Sequence, residues 1–541
     1  MTTDATIATL PAAGAATPAA DRWAGRLDAT LERASDWLNP ILVKETRQAL
    51  KSRQFVLWFL LLLGACWIVT IGGVTLIGPS IYYASTGGMF YWAYFIVLAF
   101  PLMVVVPFSA YRSLAAEQEE NTRDLLMVSA LSPQQIVNGK IGSAVLQMMV
   151  YFSALAPCLA FTYLLRGVDL VSIVMPPVYV FAASLLLSMA GLTAASLTRR
   201  KYGQVILSIG FVVLLLSCFG WGLGAIALLM TEGFQYFRDS DFWIANLMVL
   251  NFVVTTFLLL YYAAAGLNTF TAANRSTPIR VVLFIKQACC VGWVSYAYIR
   301  SGYESELLFV GIALTGLLWF AAGGVMTGEA PVLSNRVRRT LPTTAVGRVF
   351  GSWFNPGPGT GLMFAVATWS ATVGPVLIAL LLASPQTPNT GALFLTLATA
   401  YAIIFLGVGR FVVSALRRVA EVTLLGCLLI HFLLVLGASA APLLLAIWTD
   451  APQPRGFVSY LIFSPMVTLN AVVTGRLNAG DELLLMLTVP GVALCVLLVC
   501  LVDAGRETRQ TRTPIPKRVI EDEEQLNPTP AAAVKNPWGD L

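Results

Sequence analysis

Phe55-Val-Leu-Trp-Phe-Leu-Leu-Leu-Leu-Gly-Ala-Cys-Trp-Ile-Val-Thr-Ile-Gly-Gly-Val-Thr-Leu-Ile77 contains no charged residue. A helix needs about 20 apolar residues to cross the hydrocarbon core of a bilayer, where every backbone polar group must be paired internally. This run meets that length, and similar runs follow at roughly 90–111, 141–165, 172–197, 204–230, 242–265, 281–299, 307–326, 363–383, 391–409, 422–447 and 483–502. The 541 residues are 57% hydrophobic and 11% charged, whereas soluble domains charge about a quarter of their residues. The sequence therefore predicts an all-α, polytopic integral membrane protein with about twelve transmembrane helices. The first strongly apolar run starts at Phe55, so no removable N-terminal signal is expected.

Basic residues fix the expected orientation, because lysine and arginine accumulate in cytoplasmic loops. Twelve spans with a cytoplasmic N-terminus assign 29 of the 34 basic residues to the inside. Only Arg166, Arg238, Arg300, Arg455 and Arg476 fall outside. Cytoplasmic N- and C-termini follow. A thirteenth span at 457–475 would move the basic C-terminal tail outside, so this run, broken at Ser464-Pro465, is expected to be a re-entrant or interfacial helix.

The flanks read differently from the spans. Residues 1–20 are Ala-, Thr- and Pro-rich and expected to be disordered. Within 21–53, Trp23, Leu27, Leu31, Ala34 and Leu38 recur at helical spacing opposite charged residues. After Asn39-Pro40 a second basic amphipathic stretch runs to Arg53. Both suit cytoplasmic helices at the membrane interface. The membrane region divides into six-helix domains at 54–270 and 271–502, and 503–541 reads as a disordered cytoplasmic tail.

The net charge of +6 is explained by topology, and no basic motif with interleaved aromatics points to nucleic acid. All eight cysteines lie inside apolar runs and read as small hydrophobes. Neither His-Glu-x-x-His nor Gly-x-Ser-x-Gly occurs, which leaves intramembrane protease and esterase chemistry without support.

One loop stands apart, between the second and third spans: Glu117-Gln-Glu-Glu-Asn-Thr-Arg-Asp-Leu-Leu-Met-Val-Ser-Ala-Leu-Ser-Pro-Gln-Gln-Ile-Val-Asn-Gly-Lys140. It reads as two short helices at an angle, the first through Thr122 to Ala130, the second capped by Ser132 and starting at Pro133. A capped helix held under a membrane bundle can receive force from a soluble partner.

On these residues the chain resembles the permease subunits of type-2 ATP-binding-cassette exporters. Glu117, Glu119, Thr122, Leu125, Leu126, Leu131, Ser132, Pro133, Ile136, Val137, Gly139 and Lys140 match that family's cytoplasmic pattern, with Asn121 in place of its glycine. Leu38 to Arg53 is similar to the family's connecting helix, and the resemblance covers about residues 37–270. It implies that 117–140 couples to a separate cytoplasmic ATP-binding subunit, which carries the ATP and magnesium. This chain binds no cofactor or metal in that scheme and is not itself an enzyme. Gly139-Lys140 lacks the earlier glycine and the hydroxyl residue of a phosphate-binding loop. The remaining partners are the lipid bilayer of the cell's inner (plasma) membrane and either a second permease, a homodimer mate, or none.

Other residues have local readings. Glu117, Glu119 and Glu120 either order the loop against basic residues or form a solvated helix start. Lys286 sits early in its apolar run, where snorkelling to the interface avoids the roughly 2.5–3.5 kcal/mol of a central charge. His431 reads as a buried, hydrogen-bonded histidine, Asp239-x-Asp241 as a solvated loop, and Gly357-Pro-Gly-Thr-Gly361 as a turn. Gly220, Gly222 and Gly224 permit close packing or a kink. Two alternatives to an exporter stay open: an ion-coupled secondary transporter, and a non-transporting scaffold that recruits a protein through the same loop.

Overall fold

A computed structural model describes residues 39–120, 131–198, 200–231, 239–270, 272–301, 305–339, 341, 344–383, 390–448 and 459–509, and positions 516, 518 and 521. The expectations for 1–20, for the helix within 21–38, for Thr122 to Ala130 and for most of the tail lie outside these residues.

The described chain is helical and contains no strand. In order, the helices are α1 (Pro40–Lys51), α2 (Arg53–Ile77), α3 (Gly87–Glu119), α4 (Pro133–Leu164), α5 (Leu170–Ser196), α6 (Lys201–Thr231), α7 (Ser240–Leu267) and α8 (Ser276–Arg300). They continue as α9 (Ser305–Met326), the short α10 (Asn335–Arg339) and α11 (Ala345–Ser352), then α12 (Pro358–Ala383), α13 (Thr390–Leu416), α14 (Leu424–Trp448), α15 (Pro465–Val473) and α16 (Ala479–Thr508). Twelve are long and apolar enough to cross a membrane, so the chain is an all-α, multi-pass membrane protein. The run near 457–475 is not among them. It forms a short 3-10 turn, Ser459–Phe463, and the nine-residue α15, whose helix Ser464 caps; nine residues rise only about 14 Å.

By packing, the chain separates into two units, Met1–Ala195 with Arg199–Tyr236, and Ser196–Thr198 with Phe237–Leu541. The sixth span, α7, groups with the second unit and packs along α8.

In the first unit α3 is the most enclosed span, with Tyr91, Tyr94, Leu98 and Leu102 fully buried. Its aromatic hydroxyls find partners on three neighbours: Tyr94 with Thr70 Oγ1 at 2.7 Å, Tyr91 donating to the Ile173 carbonyl at 3.1 Å, and Tyr111 to the Gln204 carbonyl at 3.0 Å. Such bonds are needed because lipid offers a buried hydroxyl no alternative. Pro101 has no N–H, and the helix widens to a π turn over Pro101–Val105. Ser184 donates to the Leu102 carbonyl within that turn.

The core of the second unit gathers Leu283, Ile312, Trp319, Phe364, Trp369 and Leu395 from α8, α9, α12 and α13. A buried polar relay crosses it. The Trp319 indole donates to Gln287 at 2.8 Å, and the Gln287 amide donates to Thr372 at 2.8 Å.

Candidate functional site

The residues around 117–140 are built from α1, α3 and α4. Asn39 caps α1, accepting the Ile41 N–H at 3.1 Å, and Pro40 sits in its first turn. Ser52 takes an extended conformation and ends the helix, so α1 does not continue straight into α2. Ile41 and Glu45 form its buried side.

α4 begins at the Leu131-Ser132-Pro133 motif. Ser132 accepts the Gln135 N–H, and the Gln135 side chain accepts the Ser132 N–H at 2.8 Å, a reciprocal capping box with Pro133 in the first turn. The expected second short helix is not a separate element: it is the first part of α4, which runs unbroken from Pro133 through Pro157 to Leu164. Ile136 and Val137 are buried on its first turns. Thr122, Leu125 and Leu126 lie outside the described residues, and Leu131 is half-buried beside the cap.

Gly139 and Gly142 then let α1 approach. A Cβ at Gly139 would lie 2.6 Å from Ile41 Cγ2 and 3.0 Å from the Leu42 backbone nitrogen, and one at Gly142 would lie 2.8 Å from Leu42 Cδ1. The Asn39 side-chain amide donates to the Gln135 carbonyl, tying the start of α1 to the start of α4.

The centre of the arrangement is Lys140, whose side chain is 1% exposed. Its ammonium lies 3.0 Å from Glu45 of α1 and 2.8 Å from Glu117 of α3, and donates to the Ser113 carbonyl at 3.3 Å. One cation therefore holds three helices. Glu117 lies near the C-terminal end of α3, not at a helix start as one reading had it, where a carboxylate opposes the helix dipole; Lys140 offsets that. Among the described residues Glu119 pairs with Arg112 at 3.8 Å, both exposed, and Glu120 ends the helix in solvent. Asn39-Pro40 marked the start of α1 in the sequence, but Glu45 and Gly142 were not singled out. For Glu45 the amphipathic spacing of α1 was the one hint, since its partner is 95 residues away, and Gly142 on α4 had none.

The second unit has its own buried ion network. Arg280, fully buried, pairs with Glu329 at 2.6 Å and donates to the carbonyls of Trp353 at 2.7 Å and Gly357 at 3.3 Å. Glu507 accepts the N–H groups of Gly359 at 2.9 Å and Thr360 at 3.0 Å, and lies 3.4 Å from Arg410. The Gly357–Gly361 segment is thus a turn opening α12, and protein carboxylates occupy its free N–H groups.

Lys286 departs from its sequence reading. α8 begins at Ser276, before the apolar run, so Lys286 is its eleventh residue, about 15 Å along the axis. It does not snorkel. It is 4% exposed, donates to Thr256 at 2.7 Å and Thr255 at 3.3 Å on α7, and lies 3.9 Å from the centre of the Phe252 ring. No carboxylate lies within 4.0 Å of it among the described residues.

His431 is fully buried, with Nδ1 2.7 Å from the Cys427 carbonyl and Nε2 3.4 Å from the Leu406 carbonyl. Gly324 and Gly409 flank the ring. Asp239 caps α7 and Asp241 pairs with Arg300 at 3.2 Å. Both carboxylates thus have local structural partners.

Compared with protein families, with curated proteins and with solved structures, the chain matches none.

Proposed function

We propose that this chain is the membrane subunit of an ATP-driven exporter, coupled through residues 117–140 to a separate cytoplasmic ATP-binding-cassette subunit. The observation that carries this reading is the Lys140 junction. It binds the end of α3, the start of α4 and the preceding helix α1 into one body, and residues 121–130 follow α3 and precede α4 in sequence. A push on that segment would move three helices together, because a buried, doubly paired lysine resists separation. The closing of the ATPase supplies the push, and ATP and magnesium belong to that partner. In this reading both termini are cytoplasmic, the membrane is the cell's inner (plasma) membrane, and the cargo is hydrophobic or amphipathic. The test is capture of an ATP-binding-cassette protein by the solubilised chain, and its loss when 121–130 is deleted or Lys140 is replaced.

A second reading, a transporter driven by an ion gradient, draws on the burial of Lys286 and His431 within spans. It predicts transport without an ATPase, abolished when the ion gradient is collapsed.

A further inference from the structure

Lys286 lies within an apolar span, away from the ends of the two helices it joins. It is about 15 Å from the start of α8, and Thr255, its partner, is about 18 Å from the end of α7 on the same side. A residue that only filled space there could be Met or Leu, which need no hydrogen-bond acceptors. Two threonine hydroxyls satisfy donors of the ammonium but leave its charge uncompensated. The third side is covered by Phe252, and that ring is itself 54% exposed on α7. One aromatic ring therefore separates a buried cation from the surroundings of these helices. Val254, Val281, Phe284 and Ile285, at neighbouring depth on the same two helices, are exposed apolar surface.

We infer that Lys286, with Thr255 and Thr256, is an intramembrane site for the anionic group of an amphipathic molecule, and that Phe252 is the cover that turns aside to admit it. A carboxylate or phosphate supplies the missing charge, and its alkyl chain lies on the exposed apolar surface. The shared chemistry is an anion on a hydrocarbon chain. An intramembrane charge is retained where it serves a ligand or pathway. As a statement about cargo this rests on the exporter reading; as a statement about binding it does not.

The test uses the full-length detergent-solubilised chain and quenching of its tryptophan fluorescence by brominated lipids. Trp293 stands seven residues from Lys286 on α8, about 10 Å along the axis. The probes are dibromostearate, its neutral methyl ester and dibrominated phosphatidylglycerol. At least one anionic probe should quench saturably at tenfold lower concentration than the ester, and which one does so assigns the anion to carboxylate or phosphate. Lys286→Gln should erase the preference and Lys286→Arg should retain it. No preference in the wild type, or one that survives Lys286→Gln, overturns the site. Should Lys286→Gln not fold, Phe252→Ala carries the test. It alters no charge and should tighten the favoured anion at least threefold while leaving the ester unchanged; an unaltered anion affinity contradicts the proposal. No ATPase enters the measurement, so its failure is distinct from failure of the exporter reading.

Discussion

Lys140 and Glu45 are separated by 95 residues of sequence and by 3.0 Å in space. That pair, with Glu117, makes the base of α4 the meeting point of three helices. Removing one member of a buried ion pair leaves uncompensated charge and costs about 3–5 kcal/mol. Lys140→Met should therefore lower the thermal stability of the purified chain strongly. Adding Glu45→Gln and Glu117→Gln to it should restore part of the loss, because the stranded carboxylates are gone. A triple variant less stable than the single one contradicts the account of the junction.

The approach of α1 to α4 makes its own prediction. At Gly139 the first atoms met by a Cβ include backbone of α1, whereas at Gly142 they are the flexible end of Leu42. Gly139→Ala should cost about 1–3 kcal/mol by overpacking and Gly142→Ala less. Thermal denaturation of the two variants side by side gives the ordering.

The cap of α4 is separable from the ion pair. Ser132→Ala should cost about 1 kcal/mol, and Ser132→Asp close to nothing, since an aspartate also caps a helix start. Equal losses for both substitutions would show that the hydroxyl does something other than cap.

In the second unit, Glu507 closes the first turn of α12 and faces Arg410. Glu507→Ala leaves backbone donors and a buried guanidinium short of a partner, and should destabilise by about 3–5 kcal/mol. Glu507→Gln keeps an acceptor and should lose less. Denaturation of the two variants in detergent compares them directly.

The spans themselves were legible because hydrocarbon thickness sets a length and forbids charge, and both constraints are local in sequence. The nine-residue helix at Pro465–Val473 was readable for the same reason, through Ser464-Pro465 and the distribution of basic residues. Helix ends were less so. α3 extends through polar residues to Glu119, and α8 starts at Ser276, because helices continue past the apolar run on capping and packing. Of the Lys140 junction, the sequence exposed Glu117 and Lys140 as members of one motif, but their contact with Glu45 depends on how α1 folds back. His431 fits between Gly324 and Gly409, residues 107 and 22 positions away, and no local spacing encodes such a pocket.

The most direct measurement is an affinity capture of the mildly solubilised full chain, with bound proteins identified by mass spectrometry, for the wild type, a deletion of 121–130 and Lys140→Gln. The account predicts an ATP-binding-cassette subunit with the wild type, absent with the deletion and reduced with Lys140→Gln. Recovery of no such ATPase with the wild type, or equal recovery with the deletion, would contradict the assignment of 117–140 as the coupling segment.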